Sequence, residues 1–205
     1  MIVIVDYGVG NLRSVENMLR KVGAECKVSG DPDVIKHADK LILPGVGNFG
    51  QGMMKLKENS LIEVLNWFAL DAKRPVLGIC LGAQILGNGS EEAGEAGLGW
   101  IDMRCERLPD MPGIRIPHMS WNELDIVNES ALFPDNEQGT RYYFVHSYFM
   151  KCSDEKNIVA RTHHGIEFTS VVQSENIYGT QFHPEKSHRF GMGVMRAFDN
   201  LVVKS

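Results

Sequence analysis

Cys80 stands in Gly78-Ile79-Cys80-Leu81-Gly82, directly after the apolar run Pro75-Val76-Leu77 and before Ala83-Gln84-Ile85-Leu86. The pattern predicts a strand that turns sharply into a helix at the thiol, a nucleophile elbow with sulfur in place of the hydroxyl oxygen. The flanking glycines would let the backbone turn tightly and expose the side chain. At a helix N-terminus, orphan N–H groups and the dipole favour a thiolate, and the Leu81 N–H can point at a developing oxyanion. The plain alternative is an inert core cysteine, since free cysteines often behave as small hydrophobes. The segment Gln181-Phe182-His183-Pro184-Glu185-Lys186-Ser187 weighs against it by offering an imidazole and a carboxylate with one residue between them. His183 would take the thiol proton and later hand it to a leaving group, while Glu185 fixes the imidazole tautomer and steadies the imidazolium. Two residues apart on an extended segment, they face one way.

Other segments could complete such a site. Pro44-Gly45-Val46-Gly47 follows the apolar Leu41-Ile42-Leu43, and loops at strand C-termini line the sites of α/β sheets. Backbone N–H groups at Val46 and Gly47 could supply a second oxyanion donor; a simple glycine turn is the alternative. Gln84, one helical turn beyond Cys80, points back toward the elbow with an amide suited to an α-amino or carboxylate group, unless it is merely a solvated helix residue. Pro117 to Asn122 carries a histidine, a tryptophan and an amide in what reads as a short loop. His37, His146, His163, His164 and His188 show no metal-ligand spacing, so no metal is expected.

The elements that must position these residues alternate in the first half. Ile2 to Val5 reads as a strand, Leu12, Val15, Leu19 and Val22 lie at helical spacing, and Cys26 to Val28 returns as a strand. Leu41 to Leu43 is a further strand, Leu61 to Leu70 a helix, and Val76 to Ile79 leads into the elbow. This βαβ alternation predicts an α/β fold with a mostly parallel central sheet flanked by helices. From Gly99 to Gln181, strands such as Arg141 to Ser147 and Gly165 to Gln173 predict antiparallel additions to the same sheet. Ser187 to Val203 reads as a closing helix that buries Val194, Met195, Phe198, Leu201 and Val202.

With 205 residues, 43% hydrophobic and 23% charged, residues 1–205 fit one domain with a core large enough to stand alone. A net charge of −5 without a basic run argues against nucleic acid or an anionic membrane as partner. Asp6 ends the first apolar run, too short for a signal peptide or a membrane span, so a cytoplasmic protein is expected. Cys26, Cys80, Cys105 and Cys152 are scattered without a C-x-x-C pair, which suits a reducing compartment and offers no zinc spacing.

The G-x-C-x-G and H-P-E segments together resemble the class I, or triad-type, glutamine amidotransferases. Within these, Asp6 to Ser14, Leu43 to Gly50, Pro117 to Asn122 and Tyr143 to Tyr148 look like the glutaminase subunit of imidazole glycerol phosphate synthase. The resemblance implies a class I glutamine amidotransferase-like fold and hydrolysis of L-glutamine by Cys80, His183 and Glu185, without a cofactor. It also implies an oxyanion hole from backbone at Leu81, Val46 and Gly47, and substrate contacts from Gln84, Ser147 and Tyr148. A (β/α)8 cyclase of histidine biosynthesis would be the heterodimer partner, facing His118, Trp121 and Asn122. Ser120 stands where the family usually has glycine, and Ala83 is a second departure. These leave open a paralogous subunit feeding ammonia to a surface-sugar amidotransferase. A catalytically silent scaffold and a cysteine hydrolase of related fold are rivals from other classes.

Overall fold

Both faces of the first strands are apolar, and in the computed structural model, which describes residues 1–134 and 139–203, both faces are covered. β1 (Ile2–Val5) directs Val3 and Val5 to one cluster and Ile2 and Ile4 to another on the opposite side, as the two-residue period of a strand requires. α1 (Leu12–Lys21) starts at Asn11, whose side chain accepts from Ser14 N, and buries Val15 and Leu19. β2 (Cys26–Ser29), α2 (Pro32–Lys36) and β3 (Lys40–Gly45) follow. α3 (Phe49–Glu58) is capped by the Asn48 side chain accepting from Gln51 N. The stretch expected as one helix over Leu61 to Leu70 is α4 (Ile62–Asn66) continued by a π turn, Trp67–Asp71. β4 (Val76–Cys80) then enters α5 (Leu81–Gln84), which is a single turn.

The remaining strands are β5 (Gly89–Ser90), β6 (Ala93–Ala96), β7 (Met103–Arg107), β8 (His118–Glu123), β9 (Asp125–Ile126), β10 (Arg141–His146), β11 (Tyr148–Cys152), β12 (Ile158–His164), β13 (Ile166–Ser174) and β14 (Ile177–Thr180). Among the described residues, β2, β1, β3, β4 and β14 form the parallel core of the main sheet in that order. β13, β11 and β7 continue it in antiparallel sense, with β12 branching from β13 and β9 pairing on β12. The expected parallel sheet with antiparallel additions is therefore the architecture. Strands begin earlier than expected, at the short β5–β6 pair, whose Gly, Glu and Ala residues carry little strand signal.

Arg141 to Ser147 does not extend the main sheet. Among the described residues, β10 pairs only with β8, in register Tyr142↔Asn122, Phe144↔Ser120 and His146↔His118, as a separate two-stranded sheet. Of its inward side chains, Phe144 meets Phe168 and Phe182 edge-on and Tyr142 lies tilted against Phe182, so the apolar face of this small sheet is satisfied by packing on the main layer. Ser120 sits in regular extended pairing without a positive φ, so no glycine is needed there. α6 (His188–Asp199) buries Val194, Met195 and Phe198 as expected but ends at Asn200, leaving Val202 85% exposed. Among the described residues, no helix is long and apolar enough to cross a membrane.

Candidate active site

The parallel core brings three loops together at its C-terminal edge. Gly45, ending β3, is paired with Cys80, ending β4, and Thr180, ending β14, with Ile79. The Val46-Gly47-Asn48 loop, the elbow and the Gln181 to Ser187 segment therefore leave adjacent strands at one place. Cys80 itself adopts φ 53 and ψ −108, a region that L residues rarely occupy and that costs on the order of 1–3 kcal/mol. The strain falls on the cysteine and not on its flanking glycines, whose φ values are not positive. Those glycines supply space instead. A Cβ on Gly82 would stand 1.7 Å from the Leu43 carbonyl oxygen, and one on Gly78 would stand 2.6 Å from the Gly82 oxygen. With α5 only one turn long, the helix dipole adds little at Cys80.

His183 leaves β14 with its N–H donating to the Tyr143 carbonyl at 2.9 Å, and its own carbonyl accepts from Ser187 Oγ at 2.6 Å. Pro184–Lys186 is a 3₁₀ turn that curls Glu185 back beneath the imidazole. His183 Nδ1 donates to Glu185 Oε1 at 2.7 Å, and the two side chains are 1% and 2% exposed. Nε2 makes no hydrogen bond and is left to the Cys80 sulfur; such contacts often tighten only once substrate is bound. Burial alone would hold His183 neutral, but Cys80 and Glu185 outweigh it and push the imidazole up to about 10. Gly191 of α6 seats the turn, since a Cβ there would stand 1.8 Å from the Pro184 oxygen.

A cleft of about 260 Å³ opens over the thiol. It is lined by Cys80, Leu81, Gln84 and His183, by Val46 and Gly47, by Val145 to Tyr148, and by Glu92 and Pro117. The residues expected to react, to hold an oxyanion and to bind substrate thus share one cleft, with Glu185 behind His183. Gln84 is buried, and its Nε2 donates to the Tyr148 carbonyl at 2.8 Å and to Gln181 Oε1 at 3.1 Å, leaving its own oxygen as the acceptor. Gln181 Nε2 reaches Cys80 Sγ at 3.7 Å. Gln181 and Glu92 carry no role in the sequence reading. Among the described residues, Glu92 is the only acidic side chain lining the cleft; it stands in a polar Gly-Glu-Ala stretch that gives no spacing signal, and its Oε2 accepts from Phe49 N at 2.8 Å.

The three residues expected on the partner side separate. Trp121 is 40% exposed and stacks on His188 at 5.2 Å, next to Met119 at 60% exposure. Asn122 is half-buried, and His118 is fully buried because inward positions of β8 pair with the inward face of β10. A fully buried His118 can reach a partner only through its neighbours. Among the described residues, no group of three or more His, Cys, Asp or Glu side chains is placed to hold a metal ion.

The family described as "Glutamine amidotransferase class-I" matches residues 3–199. The chain is 48% identical to "Imidazole glycerol phosphate synthase subunit HisH 2" of Methanococcus maripaludis, covering 97% of this chain and 98% of the relative. It is 46% identical to the HisH 2 subunit of Pseudomonas aeruginosa (98% and 100% covered) and 47% identical to the HisH subunit of Methanothermobacter thermautotrophicus (98% and 99%). Among solved structures, PurLQS from Thermotoga maritima aligns with a TM-score of 0.75 over 96% of each chain at 21% identity, and a glutamine amidotransferase with 0.72 over 95% and 98% at 18%. The architecture is thus shared well beyond recognisable sequence, and with identities of this level over its whole length the chain belongs to the class I glutamine amidotransferases, among the HisH subunits of imidazole glycerol phosphate synthase.

Proposed function

We propose that this chain hydrolyses L-glutamine to glutamate and ammonia as the glutaminase subunit of an imidazole glycerol phosphate synthase. The observation that carries the reading is a buried His183–Glu185 pair whose free Nε2 opens on a strained thiol at the floor of an amino-acid-sized cleft. Cys80 Sγ attacks the carboxamide carbon as a thiolate, its proton already held by the His183 imidazolium. Charge developing on the carboxamide oxygen is met by the Leu81 N–H and by an N–H of the Val46–Gly47 loop. His183 protonates the carboxamide nitrogen as its C–N bond breaks, so that it leaves as ammonia, then deprotonates a water that hydrolyses the γ-glutamyl thioester, restoring the thiol. The Gln84 oxygen and the Glu92 carboxylate suit the α-ammonium group, and Ser147 and Tyr148 the remaining backbone groups of the substrate. No step calls on a cofactor.

Ammonia released into bulk water would become ammonium, so the reaction is useful only beside a synthase that receives it by a shielded path. The partner in this reading is a (β/α)8 cyclase, docked on the face that exposes Met119 and Trp121. The four free cysteines suit a cytosolic setting. The test is Cys80→Ala in the assembled complex. Glutamine-dependent synthesis should fall on the order of 10⁴-fold, while synthesis from ammonium salts persists; equal loss from both nitrogen sources would make Cys80 structural and overturn the reading. Co-purification names the partner, and recovery of a surface-sugar amidotransferase in place of the cyclase would move the ammonia to that pathway.

A further inference from the structure

Two buried imidazoles outside the catalytic set connect the cleft to the strand beside it. His146 lines the cleft, and its Nδ1 lies 2.9 Å from the Tyr148 carbonyl oxygen. A carbonyl only accepts, so the proton sits on Nδ1 and Nε2 is left as acceptor. That Nε2 lies 3.0 Å from His118 Nδ1, which must therefore donate, leaving His118 Nε2 as acceptor. Asn122 Nδ2 meets it at 3.3 Å. The Asn122 amide has no freedom to turn round: its nitrogen donates to the His163 carbonyl at 2.8 Å, and its oxygen accepts from Glu123 N at 2.9 Å. Both ends of the chain are thus fixed by backbone groups, and every hydrogen bond runs the same way, from Asn122 through His118 and His146 to Tyr148 O.

The surroundings keep both rings neutral. His118 is stacked between Phe144 at 4.9 Å and His164 at 4.0 Å, and Phe168 lies against both rings. Among the described residues no carboxylate acts on either ring, and burial depresses His118 to about 4 and His146 to about 3. His164 Nε2 is itself engaged, donating to the Arg115 carbonyl at 2.9 Å. The far end of the chain matters because Tyr148 O is a shared acceptor: the same oxygen receives Gln84 Nε2 at 2.8 Å.

We infer that His118 and His146 are positioning residues for glutamine binding, a one-way hydrogen-bond chain that holds the Tyr148 carbonyl, and through it the Gln84 amide, at a place set by Asn122 on β8. The inference rests on the glutaminase reading for its substrate, but the chain itself can be judged without it. In the ¹⁵N-histidine-labelled full-length protein, both rings should appear as neutral Nδ1–H tautomers at neutral pH. A Nε2–H tautomer at either ring would overturn the chain whatever the protein hydrolyses.

In the complex with its synthase partner, His118→Phe keeps the aromatic stack and removes both hydrogen bonds. The glutamine KM should rise about five- to tenfold, the worth of one lost buried hydrogen bond, with kcat and melting temperature little changed. Adding Asn122→Ala to His118→Phe should raise KM no further, because both act on one chain. An unchanged KM in folded His118→Phe, or a fall in kcat alone, would overturn the positioning role. Should His118→Phe not fold, Asn122→Ala alone carries the kinetic test, and an unchanged KM there would overturn the role equally. If wild type hydrolyses no glutamine, the glutaminase reading fails and the tautomers still decide the chain.

Discussion

His183 carries a proton against burial because two partners demand it. A folded-state value raised from 6.5 to about 10 means that the imidazolium stabilises the fold. That contribution is complete below about 6.5 and is lost as pH rises through about 10. Glu185→Gln removes one of the two partners, so burial should gain ground and the His183 value should fall when titrated by NMR. The stability gap between wild type and Glu185→Gln, from denaturant melts, should be widest below about 6.5 and close as pH rises. A gap independent of pH would mean that Glu185 does not hold the His183 charge. In turnover, Glu185→Gln should be milder than His183→Ala, since the base remains in place. At this scale the thiol, the imidazole and the carboxylate were legible because short motifs carry them. Gln181 and Glu92 were not, because their roles arise only when β14 and the β5–β6 pair are brought beside the elbow. That His118, an interface candidate, would be buried was not legible for a related reason: its burial depends on register with β10, which no local pattern encodes.

The elements hold the site through close backbone approach, and that is where substitutions should act. Gly191→Ala would set a methyl 1.8 Å from the Pro184 oxygen, so α6 must back away and carry the His183 turn with it. The expected outcome is a folded protein whose Cys80 labels slowly with a glutamine-derived affinity reagent; undiminished labelling would show that α6 does not seat the turn. The sequence reading gave the elbow glycines the tight turn itself, whereas they act as clearances, and space between strands is a tertiary fact. The β8–β10 sheet has its own pH signature, opposite in sign to that of His183. Depressed values at His118 and His146 mean stability present above about 6.5 and lost as pH falls toward about 4 and about 3. His118→Phe should therefore flatten the acid limb of the stability profile between about 6.5 and about 4, and a limb as steep as wild type would remove His118 as its source.

On the scale of the whole molecule, alternating β and α segments were enough to foresee a parallel core and loops gathered at its C-terminal edge. The stacking of a second small sheet was not foreseeable, because an alternating strand can satisfy its apolar face either at a sheet edge or on a sheet face. In the proposed reaction, one oxyanion donor would stand on the elbow and the other on the Val46–Gly47 loop. Gly47 holds φ +105 with nothing within 4 Å of where a Cβ would stand, so conformation and not crowding constrains it. Val46 is 42% exposed at the rim of the cleft, within reach of anything that docks there. Turnover of the isolated chain should therefore be low and should rise when the synthase partner is bound and loaded with its acceptor, because presenting one oxyanion donor is worth about 10²–10³-fold. Gly47→Val strains the observed backbone and restricts its alternatives, so it should blunt that activation more than it weakens partner binding. Glutamate release, measured with and without partner and acceptor, checks both. A full rate from the isolated chain that the partner leaves unchanged would defeat the gating role of the loop while sparing the triad.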